Sequence, residues 1–397
     1  MANNRGSIFR SLKYFNARLF FFGLLLSNVG SWLQLTASSL LIYRLTGSAA
    51  ALGYNVAFQF LPMLLFGTWC GALADRHDRR RIVLISQTGL AGQAILIGVL
   101  DLTGVINVPI VYALSLLLGI IGAFDNPARR GLVTELVPPV DLPNAMSLNT
   151  AVMTGSRIFG AAIATALVGP LGTGWLFILN GLSYAAMLYG LTGLRKSEMY
   201  PAMQLPAGGS PVRDVFRYVA HNRRLATMFS VYLVVSTFAF NYSVVLPKLA
   251  DIRWGNAEAF GWILAVTGIG NLVGALLTAR LQVVTMKWFI GNVGLLGVAS
   301  IGLAFSPNLL VAFIWSVPLG LGGAAMIASG NAISQQESPP DMRGRLLALT
   351  AVAFLGSTPI GGPITGLIAD NISLEWSVGY GGVITLISVA IAALAWR

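Results

Sequence analysis

Apolar residues in this chain neither alternate nor recur on one helical face; they come in long runs separated by short polar stretches. Twelve runs succeed one another. The first six are Leu19 to Ile42, Leu52 to Ala74, Val83 to Leu102, Val108 to Phe124, Leu148 to Leu171 and Leu176 to Leu194. The second six are Leu225 to Leu246, Gly261 to Ala279, Phe289 to Ala304, Leu309 to Ala328, Leu346 to Ala369 and Val378 to Trp396. Crossing about 30 Å of hydrocarbon takes about 20 consecutive apolar residues. The pattern therefore predicts an all-α membrane protein with twelve transmembrane helices embedded in a lipid bilayer. The first run ends in IYRLTG without a small-residue cleavage site, and reads as a retained span and not a removable leader.

One polar stretch is long, and it divides the runs six and six. The expected parts are a six-helix half at 1–194, a linker at 195–224 and a second six-helix half at 225–397. Within the linker, YPAMQLPAGGSP breaks regular structure, after which Ser210 is an N-cap and Pro211 the first helical residue. Val212, Phe216 and Val219 then share a face, which predicts a short amphipathic helix on the cytoplasmic membrane surface; a plain connector is the competing reading.

The two halves repeat each other. An offset of 201 pairs Gly119 with Gly320, Gly122 with Gly323, Pro138 and Pro139 with Pro339 and Pro340, and Gly160 with Gly361. Nearer the start of each half an offset of 203 pairs Ser27 with Ser230, Gln34 with Thr237 and Gly71 with Gly274. Parallel repeats of this kind build transporters whose substrate site lies near the midplane where the halves meet.

Charge supplies the orientation. The chain is 56% hydrophobic and 10% charged, yet carries a net charge of +11. Arg5, Arg10, Lys13 and Arg18 precede the first run, and nearly all other basic residues fall in the loops of the same parity. The alternate loops hold only Arg44, Lys248 and Arg253. By the positive-inside rule both termini are cytoplasmic, in a cell inner (plasma) membrane. Charge spread along one membrane face does not read as a nucleic acid site. With one cysteine, two histidines and no G-x-x-x-x-G-K-[ST] loop, no metal site, cofactor or ATP hydrolysis is expected, and no nucleophile and base pair points to an enzyme.

The densest charge lies between the second and third runs, in GALADRHDRRRIVL. Gly71, Leu73, Ala74, Asp75, Arg76, Arg79, Arg80 and Leu84 match the loop of the major facilitator superfamily, roughly G-x-L-A-D-R-x-G-R-R-x-x-L, with Asp78 in place of its glycine. LTGSAAALG, FDNPAR and RIFG add to the resemblance, which covers all twelve runs and is strongest to the drug and siderophore exporter branch. It implies the major facilitator fold, two pseudo-symmetric six-helix halves working by alternating access. It also implies a cytoplasmic gate in which Asp75 caps the start of the eleventh span, near Arg345 and Leu346, with Arg79 pairing with Asp125; Gly71, Arg76, Arg80 and Arg129 complete it. Topological anchoring is the competing reading of these charges, and the favoured one for Arg80 and Arg81.

Arg157 lies deep in the fifth run, where a basic residue costs about 2.5–3.5 kcal/mol and must face protein or water. It holds an anionic cargo group or a carboxylate relay, or it ties its helix to neighbouring carbonyls; both readings stand. Ser31, Gln34 and Ser38, with Asn28 beside them, form a polar stripe on the first span, and Thr237 and Asn241, with Tyr242, another on the seventh. The resemblance places both stripes, with Trp315 and Asn331 of the tenth span, on a central cavity; interhelical hydrogen bonding is the alternative for each residue. Acids are confined to loops and span ends, the deepest being Asp101, Asp125 and Asp370. Asp125 is thus the candidate for proton coupling, and a neutral or anionic amphiphile the expected cargo of a monomeric exporter. An importer or uniporter of a neutral metabolite, and a transporter-like receptor, are the alternatives.

Overall fold

The computed structural model describes residues 9–201, 212–339 and 358–395, together with 346, 349–350 and 353–354. The described residues form helices and no strand. In hydrocarbon every backbone N–H and C=O needs an internal partner, so a long apolar run becomes a helix. The helices are α1 Phe15–Thr46, α2 Ala49–Arg76, α3 Arg79–Leu102, α4 Val108–Val133 and α5 Leu142–Thr192, then α6 Val212–His221, α7 Arg223–Phe238 and α8 Tyr242–Trp254. They continue with α9 Ala259–Ala279, α10 Met286–Ala304, α11 Leu309–Gln336, α12 Thr358–Asn371 and α13 Leu374–Ala395. Among the described residues, ten segments are long and apolar enough to cross a membrane, and the expected span Leu346 to Ala369 is described only in part.

The chain divides into two compact units. Unit 1 holds residues up to 41 and 61–205; unit 2 holds 42–60 and 206–397. The ends of α1 and α2 nearest their connecting turn thus group with the later helices.

In unit 1, α5 is 51 residues long, about 77 Å at 1.5 Å per residue and far longer than one crossing. Gly172, at φ 77° and ψ 171°, interrupts it with a conformation only glycine adopts readily. Contacts with α1 reveal that the chain reverses there. Along the first arm, Ser156 donates to the Leu25 carbonyl and Gly160 lies against Val29 and Trp32, so the two run parallel. Along the second, Gly190 lies against Leu19, Gly23 against Ala186 and Gly30 against Asn180, so the direction is opposite. α5 is therefore a helical hairpin turning at Gly172, two crossings in place of one.

Unit 2 is glued by small residues. Gly270 and Gly274 of α9 lie on the backbone of Val317 and Leu321 in α11, and Gly320 lies on Thr267; a Cβ at any of the three would collide with a carbonyl oxygen. The expected seventh span, Leu225 to Leu246, is not continuous. It breaks at residues 239–241 between α7 and α8, because Asn241 Nδ2 takes the Thr237 carbonyl that a continuing helix would give to a backbone N–H.

The amphipathic helix forms as α6, but its buried face is Val215 and Val219, while Phe216 is 56% exposed. Spacing of four residues aligns Val215 with Val219, and Tyr218 turns the same side of the chain toward α11 by donating to the Glu337 carbonyl at 2.6 Å. Ser210 and Pro211 lie outside the described residues.

Candidate functional site

The charged loop after α2 builds one end of unit 1. Arg76 is exposed at the close of α2, and Asp78 caps α3 by accepting from the Arg81 backbone N–H. The Asp75 side chain and Arg345 lie outside the described residues, so their expected contact does too. Gly71 faces open space: a Cβ there meets nothing within 4 Å.

Arg79 donates to Glu135 at 3.0 Å, where pairing with Asp125 was expected. Two facts account for the correction. Gly131 leaves room for the Arg79 side chain, since a Cβ there would stand 2.6 Å from Nε. Asp125 is already engaged, by Arg129 at 3.1 Å and by Gln87 Nε2 at 2.9 Å. Burial pushes the Glu135 carboxyl up, more than the Arg79 guanidinium pulls it down. Arg80 donates to the Leu191 and Thr192 carbonyls at 2.7 and 2.9 Å, clamping α3 to the last turn of α5 within unit 1.

The polar stripe of α1 looks inward. Gln34 is 3% exposed, donates to Gln93 Oε1 at 3.0 Å and accepts from Asn180, while Gln93 donates on to the Leu114 carbonyl. This relay joins α1, α3, α4 and α5, the interhelical bonding that was the alternative reading of Gln34: both ends of its amide tie helices together. Asn28 is buried, donating to Met153 and accepting from Arg129. Ser31 is half-buried, within 3.3 Å of the Tyr184 hydroxyl, and Ser38 is half-buried. Arg157 is also half-buried, with its guanidinium carbon 4.6 Å from the centroid of the Trp32 ring. That cation–π contact contributes about 0.5–2 kcal/mol and aims the charge.

In unit 2 the break between α7 and α8 gathers the unusual groups. Thr237 Oγ1 donates to the Leu233 carbonyl. Asn241 is 3% exposed and its Oδ1 has no hydrogen-bond partner among the described residues; Ser329 Oγ of α11 shares that condition. Aromatic rings cluster here: Phe240 stands 5.0 Å from Phe354 and 6.3 Å from Tyr242, and Tyr232 lies 5.9 Å from Phe354. Gly361 is pressed on the Thr237 carbonyl and the Asn241 amide. Asn331 is half-buried within α11, which runs past the expected Ala328 end. Trp315 corrects its expected place, because its indole lies on Gly302 of α10, a neighbouring-helix contact.

A second charged constellation escaped sequence reasoning. Asp370, at the end of α12, accepts from Ser48 Oγ at 2.5 Å, from the Ala49 and Ala50 backbone N–H groups at 3.0 and 2.9 Å, and from Lys248 Nζ at 2.6 Å. Burial alone would push this carboxyl up, but the hydrogen bonds from Lys248, Ser48, Ala50 and Ala49 outweigh it and hold it at about 2. Its sequence signal was the TGSAA start of α2, a glycine at φ 64° followed by an N-capping serine.

Relatives are recognisable across nearly the whole chain. A family model described as "Transmembrane secretion effector" matches residues 7–396. The Staphyloferrin A transporter of Staphylococcus aureus is 22% identical over 378 residues, 93% of each chain. The multidrug efflux pump Tap of Mycolicibacterium fortuitum is 26% identical over 378 residues, 90% of each chain. Among solved structures, a bacterial homologue of the human lysosomal transporter Spinster shares the fold with a TM-score of 0.76 and 16% identity, covering 96% of each chain.

Proposed function

Because the chain belongs to the transmembrane secretion effector family of the major facilitator superfamily, we propose that it exports a neutral or anionic amphiphilic small molecule, drug-like or siderophore-like, by alternating access and proton antiport. It is a multi-pass membrane transporter and not an enzyme. In this reading it works as a monomer in the plasma membrane with both termini in the cytoplasm.

One observation carries the cargo assignment: Arg157, a basic residue deep in the fifth run, is held half-buried against the face of the Trp32 ring. The broken seventh span supports the same sign of charge. Its second half begins with backbone N–H groups that a continuous helix would consume, and half-helix starts of this kind favour anionic groups. The unpartnered Asn241 Oδ1 beside Phe240, Phe354 and Tyr242 adds a polar point within an apolar wall, the composition expected of an amphiphile site.

Asp125 is the proposed proton site. It is a buried carboxylate whose partners, Arg129 and Gln87, can re-pair when it is neutralised: Gln87 Oε1 is itself buried without a hydrogen-bond partner among the described residues.

Proteoliposomes test the reading. An inside-acid gradient drives accumulation of a neutral macrolide by wild type under antiport. A proton-coupled importer accumulates it only with the gradient reversed, a uniporter merely equilibrates it, and a receptor gives no flux in either case.

A further inference from the structure

Residues 42–60 are continuous in the chain with the α1 and α2 segments of unit 1, yet pack with unit 2. Any motion between the units must therefore detach this segment, bend it, or carry it along. Its contacts within unit 2 are unusually specific. The Asp370 carboxylate satisfies the Ser48 hydroxyl and the first backbone N–H groups of α2, and Lys248 of α8 closes on the same carboxylate. Below this cap the backbones touch: a Cβ on Gly366 would collide with the Ala49 carbonyl oxygen, and one on Gly53 with that of Gly362. A second tie runs from Tyr43 to Asp251 at 2.6 Å.

We propose that Asp370 is a latch: with Lys248 it holds the 42–60 segment on unit 2, and release of this cap opens the outer face of the transporter. The latch rests on the alternating-access reading above, which places the α1–α2 turn outside.

Protonation does not release it. The groups facing the carboxylate are Lys248 and Ser48; the other charged groups on the packed elements are engaged with each other, Asp251 with Tyr43 at 2.6 Å and Arg253 with Glu375 at 3.2 Å. The positive neighbour and helix start keep Asp370 ionised across the physiological range. Opening is therefore mechanical, and it is biased by whatever weakens the cap.

The test uses the full chain in nanodiscs with Cys70, the single cysteine, replaced by serine and spin labels at Leu45→Cys and Ile372→Cys. Pulsed electron resonance reads the distance distribution. Asp370→Asn and Lys248→Met are each expected to raise the long-distance population about tenfold, as loss of charge-assisted bonds implies. Ser48→Ala gives a smaller rise. Unchanged distributions in folded Lys248→Met and Ser48→Ala overturn the latch, even if Asp370→Asn fails to fold. The readout is independent of flux. A responsive distribution without transport overturns export alone, and transport with unresponsive distances overturns the latch alone.

Discussion

Asp125 and Arg129, one turn apart on α4, form a 3.1 Å ion pair with side chains 4% and 14% exposed. Arg129 spreads its remaining donors over Asn28 and Asn126, at 3.3 and 3.1 Å. Removing one partner of a buried pair costs about 3–5 kcal/mol, because the other charge stays behind. Asp125→Asn should cost the low end of that range, since its amide oxygen still accepts from Gln87. In proteoliposomes it should abolish gradient-driven accumulation while preserving exchange of labelled for unlabelled macrolide at equal pH.

Gln34 separates gluing from lining. Gln34→Leu leaves Gln93 and Asn180 with unmet groups in a closed relay. A loss of about 1–3 kcal/mol is expected in thermal unfolding, with the Michaelis constant for macrolide unchanged. A large change in that constant with unaltered stability would return Gln34 to the cavity.

Glycines on the two units should respond in opposite ways. A Cβ at Gly361 collides with the Thr237 backbone oxygen, which cannot swing aside, whereas at Gly71 it meets open space. Gly361→Ala should cost about 1–3 kcal/mol or more by overpacking. Gly71→Ala should unfold at the wild-type temperature.

Glu135 gives the Arg79 contact a pH signature. Its folded carboxyl is raised by burial despite Arg79, so its contribution to stability is full below the ordinary carboxylate value and is lost as pH rises through the raised value. Arg79→Met removes the opposing charge and raises it further. The stability gap between wild type and Arg79→Met should therefore widen as pH rises through the raised wild-type value, and melting temperatures from pH 4 to 8 read it directly. A gap that narrows with pH contradicts the pairing.

Much of the architecture was legible because hydrocarbon imposes a single rule on every run. Even the hairpin of α5 had its signal in VGPLGTG around Gly172. Pairings were harder to read. Arg79 had two carboxylates available on or just beyond α4, and the choice of Glu135 depended on Gly131 and on the prior engagement of Asp125. Gln34 and Ser38 fall on one stripe, but which of them finds Gln93 and Asn180 depends on helix rotation, which periodicity does not specify. The break at Asn241 hid inside an apolar run, since one asparagine amide competing for one carbonyl leaves no mark on hydropathy. Asp370 and Ser48 are 322 residues apart, and no local pattern joins them.

Charge selection in one preparation tests whether the cargo of this transporter is neutral or anionic. Wild-type proteoliposomes with an inside-acid lumen are offered two lipophilic dyes of matched size, one anionic and one cationic, in competition with a neutral macrolide. The anionic dye should be accumulated and compete, and Arg157→Ala should abolish that advantage. Preferential accumulation of the cationic dye, unchanged in Arg157→Ala, would contradict it.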